Sequence, residues 1–465
     1  MSLFGDPNYS PLEHKDGGKV DPEKQVKKKK KIARLKDYQL QSRLIINKDG
    51  DLKPCIANVI KFLREHKEWE NKLGYNVRTL QYCFLSEPPF CQTNDGIIED
   101  AELSGMSEWF ADNTGMIVST RSIHESLKYI CNTNKFDPVK NYFESLKWDG
   151  AERLSYWLIK HANAVNNKYT QAVSRCSLIS AVARTYEPGC KVDTMLILES
   201  PQGVKKSTLL KKIASKEWFH DSLGDISRPD VVQIINGPLI IEVQELDDFT
   251  KKEATAIKSF LSTQIDRRRM PYDRMVNSFP RRCIFVGTTN KDTYLKDDTG
   301  GRRFWPVKVS DINVDFDEEY RDQLWAEAIA CYKKGEKWYL DDKIEELAKT
   351  EQEDRRQLDP WQDIVCEYLH KKSNQINDVS GQYMDRFEDG LRAWTTGTEI
   401  LLEAISKEAK KWDKRDEMRV GSLMKILGWQ KKRERKGAGG DLITIYLCPD
   451  DWHKGIEEKQ VTFEY

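Results

Sequence analysis

The feature that most constrains this chain is a short apolar strand running into a loop of small and basic residues and then into a helix. Met195-Leu196-Ile197-Leu198-Glu199 leads into Ser200-Pro201-Gln202-Gly203-Val204-Lys205-Lys206-Ser207-Thr208, and Leu209, Leu210 and Ile213 follow at helical spacing. Such a unit aims backbone N–H groups and a helix N-terminus at one point, which suits a phosphate. In that reading Gly203, Val204, Lys205, Lys206, Ser207 and Thr208 line the anion. Lys206 reaches the β/γ-phosphates and the Ser207 hydroxyl binds Mg²⁺. The fit to GxxxxGK(S/T) is incomplete, because Ser200 and Lys205 stand where glycines are usual. An ordinary basic helix start is the competing reading.

The order of later segments favours the phosphate loop. Pro238-Leu239-Ile240-Ile241-Glu242-Val243-Gln244-Glu245 reads as a buried strand ending in acids. Buried apolar strands rarely carry carboxylates without a partner. One of Glu242 and Glu245 is therefore expected to help hold Mg²⁺, with Glu242 the candidate ligand beside Ser207, and the other to orient the attacking water. A second strand, Cys283-Ile284-Phe285-Val286-Gly287, ends in Thr288-Thr289-Asn290, where Asn290 is placed to sense a γ-phosphate. The chain then runs through Asp297-Asp298-Thr299-Gly300-Gly301-Arg302-Arg303 into Phe304-Trp305.

Read together, FDPVKNYFESLKWDGAERL (136–154), the phosphate loop, IIEVQELD (240–247), IKSFLSTQIDRRRMPYDRM (257–275), FPRRCIFVGTTN (279–290), YLKDDTGGRRFWPV (294–307) and LWAEAIACYKKGEKWYL (324–340) resemble the virulence-associated protein E family, relatives of the superfamily 3 helicases of phage, plasmids and genomic islands. Each block is modest, and their joint order is specific. The resemblance implies a multidomain α+β chain whose central AAA+-like α/β core hydrolyses ATP with Mg²⁺ and assembles as a ring, a hexamer. It implies Lys206, Glu242, Glu245 and Asn290 as catalytic groups, and an arginine finger at Arg302 or Arg303 donated across a subunit interface. It further implies a cytoplasmic replicative helicase on single-stranded or forked DNA, with host or phage replication proteins as further partners. Because Ser200 and Lys205 replace loop glycines, a weakened ATPase acting as a DNA-binding, regulatory or defence ring is the alternative.

The resemblance also places a DNA-touching motif between the acidic strand and the Asn290 strand. Here it holds Lys258, Arg267, Arg268, Arg269 and Arg274, with Arg281 and Arg282 beyond. A basic loop of this kind grips phosphates without reading sequence; a solvated basic turn is the plain alternative.

The remaining chain divides by texture. Residues 1–36 are rich in Gly, Pro and Lys and form a basic tail, because so few apolar side chains cannot offset the entropy of ordering. Residues 37–135 are expected as an N-terminal accessory domain and 136–345 as a helical collar plus the core. No primase acid motif is evident in 37–135. Asn47-Lys48-Asp49-Gly50-Asp51 reads as a hairpin turn, since it lacks the twelfth-position Glu of a calcium loop. Residues 343–358 read as a charged helix or linker.

Residues 360–450 are expected as a winged-helix-like domain. It has a helix over 398–411 opened by the Thr396/Glu399 capping box, a second over 416–428, and strands 430–434 and 442–446. Lys431, Lys432, Arg433 and Arg435 on the wing are candidate phosphate contacts.

Composition sets the remaining bounds. The formal net charge is zero, so only local clusters argue for nucleic acid. The ten cysteines form no CxxC pair, which fits reduced, buried thiols. No apolar run reaches membrane-spanning length, and no membrane partner is expected.

Overall fold

A computed structural model describes residues 43–90, 95–224, 226, 228, 231–246, 251–269, 275–295, 301–356, 359–371, 387–388, 391–435, 442–450 and 452. The basic tail, Arg274, residues 296–300 and the wing tip at 436–441 lie outside the described residues.

The N-terminal part opens on a hairpin: Ile46 bridges Leu52, and the Asn47 side chain accepts from the backbone N–H groups of Asp49 and Asp51. Helices α1 (Ile56–Glu65), α2 (Asp100–Thr114) and α3 (Thr120–Thr133) pack on a small sheet of β1 (Leu73–Asn76), β2 (Gln81–Phe84) and β3 (Lys135–Phe136). Phe62, Trp69, Phe84, Trp109 and Phe110 fill the space between them. Two signals bound α2: a capping box joins Glu99 and Glu102, and left-handed Gly115 stops it.

Helices α4 (Pro138–Ser145), α5 (Trp157–Ala162) and α6 (Lys168–Tyr186) lead to the core. The Asn167 side chain caps α6 by accepting from the Thr170 N–H. The core is a wholly parallel five-stranded sheet. Its strands are β4 (Met195–Glu199), β5 (Phe219–His220), β6 (Ile240–Val243), β9 (Ile284–Thr289) and β10 (Phe304–Lys308), in the order β10-β4-β9-β6-β5. Every residue of β4, β6 and β9 is buried, as a parallel sheet covered on both faces requires.

Alternation along the strands separates two apolar layers. Leu196, Leu198, Val286 and Val307 face one layer, which α6 and α10 (Glu318–Lys333) complete with Ile179 and Trp325. Met195, Ile197, Phe285 and Phe304 face the other, with α8 (Val231–Ile235) and α9 (Lys251–Ser262). Helix α7 (Lys206–Ala214) follows the phosphate-type loop directly. Between α9 and β9 stands an antiparallel ribbon of β7 (Ile265–Arg268) and β8 (Asn277–Pro280).

Beyond β10 come α11 (Asp342–Asp354) and α12 (Gln362–His370), the short pair β11 (Phe387–Glu388) and β12 (Leu391–Arg392), then β13 (Trp394–Thr396), α13 (Lys414–Ile426), β14 (Gln430–Arg435) and β15 (Leu442–Leu447). The last three strands form a sheet in the order β13-β15-β14. The helix expected over 398–411 is corrected. Its capping box holds, but Gly397–Glu399 passes into a π-turn at Ile400–Ala404, and left-handed Ser406 ends it (φ +55°). The wider turn keeps Ile400 and Leu401 against Val420 and Met424.

One buried arginine joins the N-terminal part to the core. Arg78, 1% exposed, pairs through Nε with Asp137 at 2.9 Å, donates to the Pro238 and Arg282 carbonyls and reaches Thr185 Oγ1 at 3.0 Å. Asp137 also binds Arg282 at 3.1 Å and caps α4. Asp137→Asn keeps a capping acceptor but strands Arg78 without a counter-charge. Removing one partner of such a pair costs about 3–5 kcal/mol, against about 1 kcal/mol for a lost cap. Urea unfolding of the variant should therefore show the larger loss; a loss near 1 kcal/mol would mean the ion pair contributes little.

Candidate functional site

The carboxyl ends of β4, β6 and β9 converge on one point, because parallel strands end together and α7 starts there. Lys206 is 9% exposed, and its ammonium donates to Ser200 O (2.7 Å), Ser200 Oγ (3.0 Å), Thr289 O (3.2 Å) and Asn290 Oδ1 (3.0 Å). The lysine of the loop and the asparagine after β9, 84 residues apart, thus meet directly. Ser200, which stands in a glycine position, supplies two of those acceptors.

Gly203 has φ +86°, with open space where a Cβ would stand. Lys205 has φ +67° and ψ 27°, a left-handed conformation that costs a side-chain-bearing residue about 1–2 kcal/mol. The backbone here has the form that a glycine would adopt without strain, and Lys205 takes it while its side chain stays exposed. Val204 is half-buried against the core, and Thr208 faces solvent.

The acids separate by environment. Glu242 is 1% exposed, and its Oε1 accepts from Ser207 Oγ at 2.9 Å and Thr288 Oγ1 at 2.8 Å. Burial pushes its carboxyl above the ordinary glutamate range, opposed by the bonds from Thr288, Ser207 and Gln244. Glu245 lies just past the strand, exposed, with φ +53°. Gly287 lets this turn approach, since a Cβ on it would lie 2.4 Å from Leu246 Cδ1. Ser207 and Glu242 form a hydroxyl–carboxylate pair of the kind a hard divalent cation takes as ligands.

The basic residues are less uniform than their spacing suggested. Arg302 is exposed; Arg303 is half-buried, and its Nε donates to Ser262 Oγ at 3.0 Å. Arg267 on the ribbon and Arg269 just past it are exposed, and Arg268 is half-buried. Lys258 is corrected: it is 7% exposed, its ammonium 5.8 Å above the Phe304 ring, because its position on α9 turns it into the core. Arg281 and Arg282 are corrected too. Arg281 is 3% exposed, bidentate to Asp266 at 2.7 and 3.1 Å and stacked on Phe260, while Arg282 pairs with Asp137. These arginines brace the ribbon's base. On the wing, Lys431, Lys432 and Arg433 are exposed on β14, an edge strand. Charges there also guard an edge against strand pairing. The Arg435 side chain lies outside the described residues.

One cluster at the site escaped the sequence reading. Glu199, 2% exposed at the end of β4, accepts from Tyr294 OH at 2.7 Å and Arg355 Nε at 2.9 Å. An acid closing the apolar run Met195–Glu199 is the signal that singled out Glu242, and it applied equally here.

Among the described residues the cysteines are all free, and no helix is long and apolar enough to cross a membrane. Residues 143–357 match the virulence-associated protein E-like domain. No curated protein matches the chain. Three solved apo structures of the NrS-1 C-terminal region align at 10%, 12% and 13% identity, with TM-scores of 0.42, 0.44 and 0.45. Each alignment covers 81% of this chain and 96% of the other.

The buried carboxylate of Glu242 makes a prediction about stability. Its folded-state affinity for a proton exceeds the unfolded one, so its charge destabilises the fold at neutral pH. That penalty fades as pH falls through the raised folded value towards the ordinary value of about 4.3. Glu242→Gln keeps an acceptor for Ser207 and Thr288 without the charge. Its melting temperature should exceed wild type at pH 7, and the gap should close on acidification. A lower melting temperature at pH 7 would show that the two hydroxyl bonds outweigh burial.

Proposed function

Through residues 143–357 the chain belongs to the virulence-associated protein E-like family, and from that premise we propose that it is a DNA-dependent ATPase of the AAA+ type, a ring-forming replicative helicase of a mobile element. The observation that carries the reading is the meeting of Lys206 with Asn290 and of Ser207 with Glu242 at the ends of adjacent parallel strands. A lysine and an asparagine on one side, and a hydroxyl with a carboxylate on the other, match what a nucleoside triphosphate with its metal needs.

In this reading Lys206 exchanges its loop carbonyls for β/γ-phosphate oxygens, and Ser207 and Glu242 hold Mg²⁺. The metal neutralises phosphate charge when bound. Glu245, exposed at the mouth, orients the attacking water and takes its proton, while Asn290 fixes that water or the γ-phosphate. Between the two arginines, Ser262 retains Arg303 within its own subunit, so Arg302 is the better candidate for a finger reaching a neighbour's nucleotide. Arg267, Arg268 and Arg269 on the braced ribbon suit sequence-independent phosphate contact with DNA in the ring. The unit with β13, α13, β14 and β15 serves as a winged-helix-like loading surface through Lys431, Lys432 and Arg433.

Lys205 supports a second reading, in which turnover is weak and the ring mainly binds DNA. The strain at this residue is relieved by Lys205→Gly. ATP hydrolysis measured with and without single-stranded DNA tests both readings. Wild type should be stimulated by DNA, Lys206→Ala should be inactive yet folded, and Lys205→Gly should be at least as fast as wild type. Hydrolysis absent from wild type and not restored in Lys205→Gly favours the DNA-binding ring; strand displacement then decides whether an active ATPase unwinds.

Arg302→Ala provides a test of assembly. Alone it should bind ATP and lose roughly 10³-fold or more in turnover. Mixed with Lys206→Ala subunits it should regain activity, because an intact phosphate loop then meets an intact finger. Absence of rescue in verified mixed rings would count against a finger acting between subunits.

A further inference from the structure

Three groups that the proposed chemistry leaves unused converge behind the phosphate loop. Glu199 directly precedes Ser200, whose carbonyl and hydroxyl hold Lys206. Its carboxylate takes Arg355 Nε at 2.9 and 3.1 Å and the Tyr294 hydroxyl at 2.7 Å. Arg355 follows α11 and also pairs with Glu351. Burial works against the Arg355 charge, but Glu199 and Glu351 outweigh it and hold the guanidinium charged.

The end of α11 grips the arginine-bearing segment at both ends. At the first end, the Arg355 carbonyl accepts from the N–H groups of Tyr294 and Leu295, both at 3.0 Å, and Leu295 bridges Arg356. At the other, Gln352 Nε2 donates to the Phe304 carbonyl at 2.8 Å, and Gly301 approaches so closely that a Cβ on it would lie 3.3 Å from Gln352 Oε1. Residues 352–356 therefore hold both ends of the segment that carries Arg302 and Arg303, while Glu199 fixes those residues to the strand beneath the loop.

We propose that Arg355 is a positioning residue: its ion pair with Glu199 sets the arginine segment against the phosphate loop of the same subunit. The effect on catalysis rests on the ATPase reading; the mechanical tie does not. A buried ion pair is a poor device for stability alone, since apolar packing of similar volume often serves as well. What it fixes is one geometry, and a finger needs geometry, because misplacement by about 1 Å costs roughly 10²-fold in rate.

The test replaces the pair without leaving either of its charges buried alone, as Glu199→Gln/Arg355→Met; Glu351, the other partner of Arg355, is half-buried and reaches solvent. Hydrogen exchange of the apo chain should accelerate at Tyr294, Leu295 and residues 301–304 and stay unchanged across β6. With ATP, KM should stay within about threefold while kcat falls by roughly 10²-fold. Mixing with Lys206→Ala subunits should restore turnover, because the double variant keeps its own phosphate loop. Unchanged exchange at Tyr294, Leu295 and residues 301–304 overturns the proposal whatever the ATPase result. So does a raised KM without rescue, which would place the defect in the loop itself. Should the double variant fail to fold, Gln352→Ala loosens only the far end; protection at 301–304 and kcat both at wild-type levels there overturn the proposal. Wild type without hydrolysis would count against the ATPase reading, and the exchange experiment would still decide the tie.

Discussion

A carboxylate with 1% of its surface exposed must be surrounded by donors, and Glu242 finds its donors on two other elements. Ser207 comes from the start of α7 and Thr288 from the end of β9, so one acidic oxygen ties helix, strand and neighbouring strand together. Those two bonds only partly offset the burial of charge. The fold thus bears a destabilising group at the end of β6, and the wholly buried strands β4, β6 and β9 compensate with apolar area.

Strand β9 has a second set of ties at its other end. Arg281, three residues before it, is locked to Asp266 and stacked on Phe260; Arg282 is held by Asp137, which also binds Arg78. One short strand is therefore anchored below to the basic ribbon and the N-terminal part, and above to the lysine and carboxylate of the site. The contacts of Asn290 and Thr288 at one end of β9 are thus joined through one strand to the ribbon's base at the other.

How much of this was legible follows from the kind of signal each feature leaves. The hairpin at Asn47–Asp51 could be read because its signal is local, an asparagine side chain that turns back to accept from Asp49 and Asp51. The phosphate-type loop was legible as strand, loop and helix, although two of its glycines are missing. The meeting of Lys206 with Asn290 was not a matter of spacing, since 84 residues separate them and the parallel sheet brings them together. Basic residues misled because charge in sequence says nothing of burial. Lys258, Arg281 and Arg282 look like their exposed neighbours Arg267 and Arg269, yet each lies against a ring or a carboxylate. Glu199 and Arg355 were missed for the converse reason: their pairing spans 156 residues, and the charged texture of 343–358 resembles a solvated helix. The π-turn at Ile400–Ala404 was invisible because its capping box predicts a start and says nothing of where the helix widens.

Lys205 shows how a departure from a motif can keep the motif's geometry. The turn into α7 puts the residue before Lys206 in the left-handed region, which glycine adopts without strain. Here a lysine supplies it at a cost of about 1–2 kcal/mol, an amount that burial of one further apolar side chain would match. The exposed side chain leaves the backbone's inner face clear, so the substitution changes charge at the mouth more than it changes the cradle. The departure that looks most damaging to the motif therefore leaves its surroundings assembled: Lys206 still meets Asn290, and Ser207 still meets Glu242.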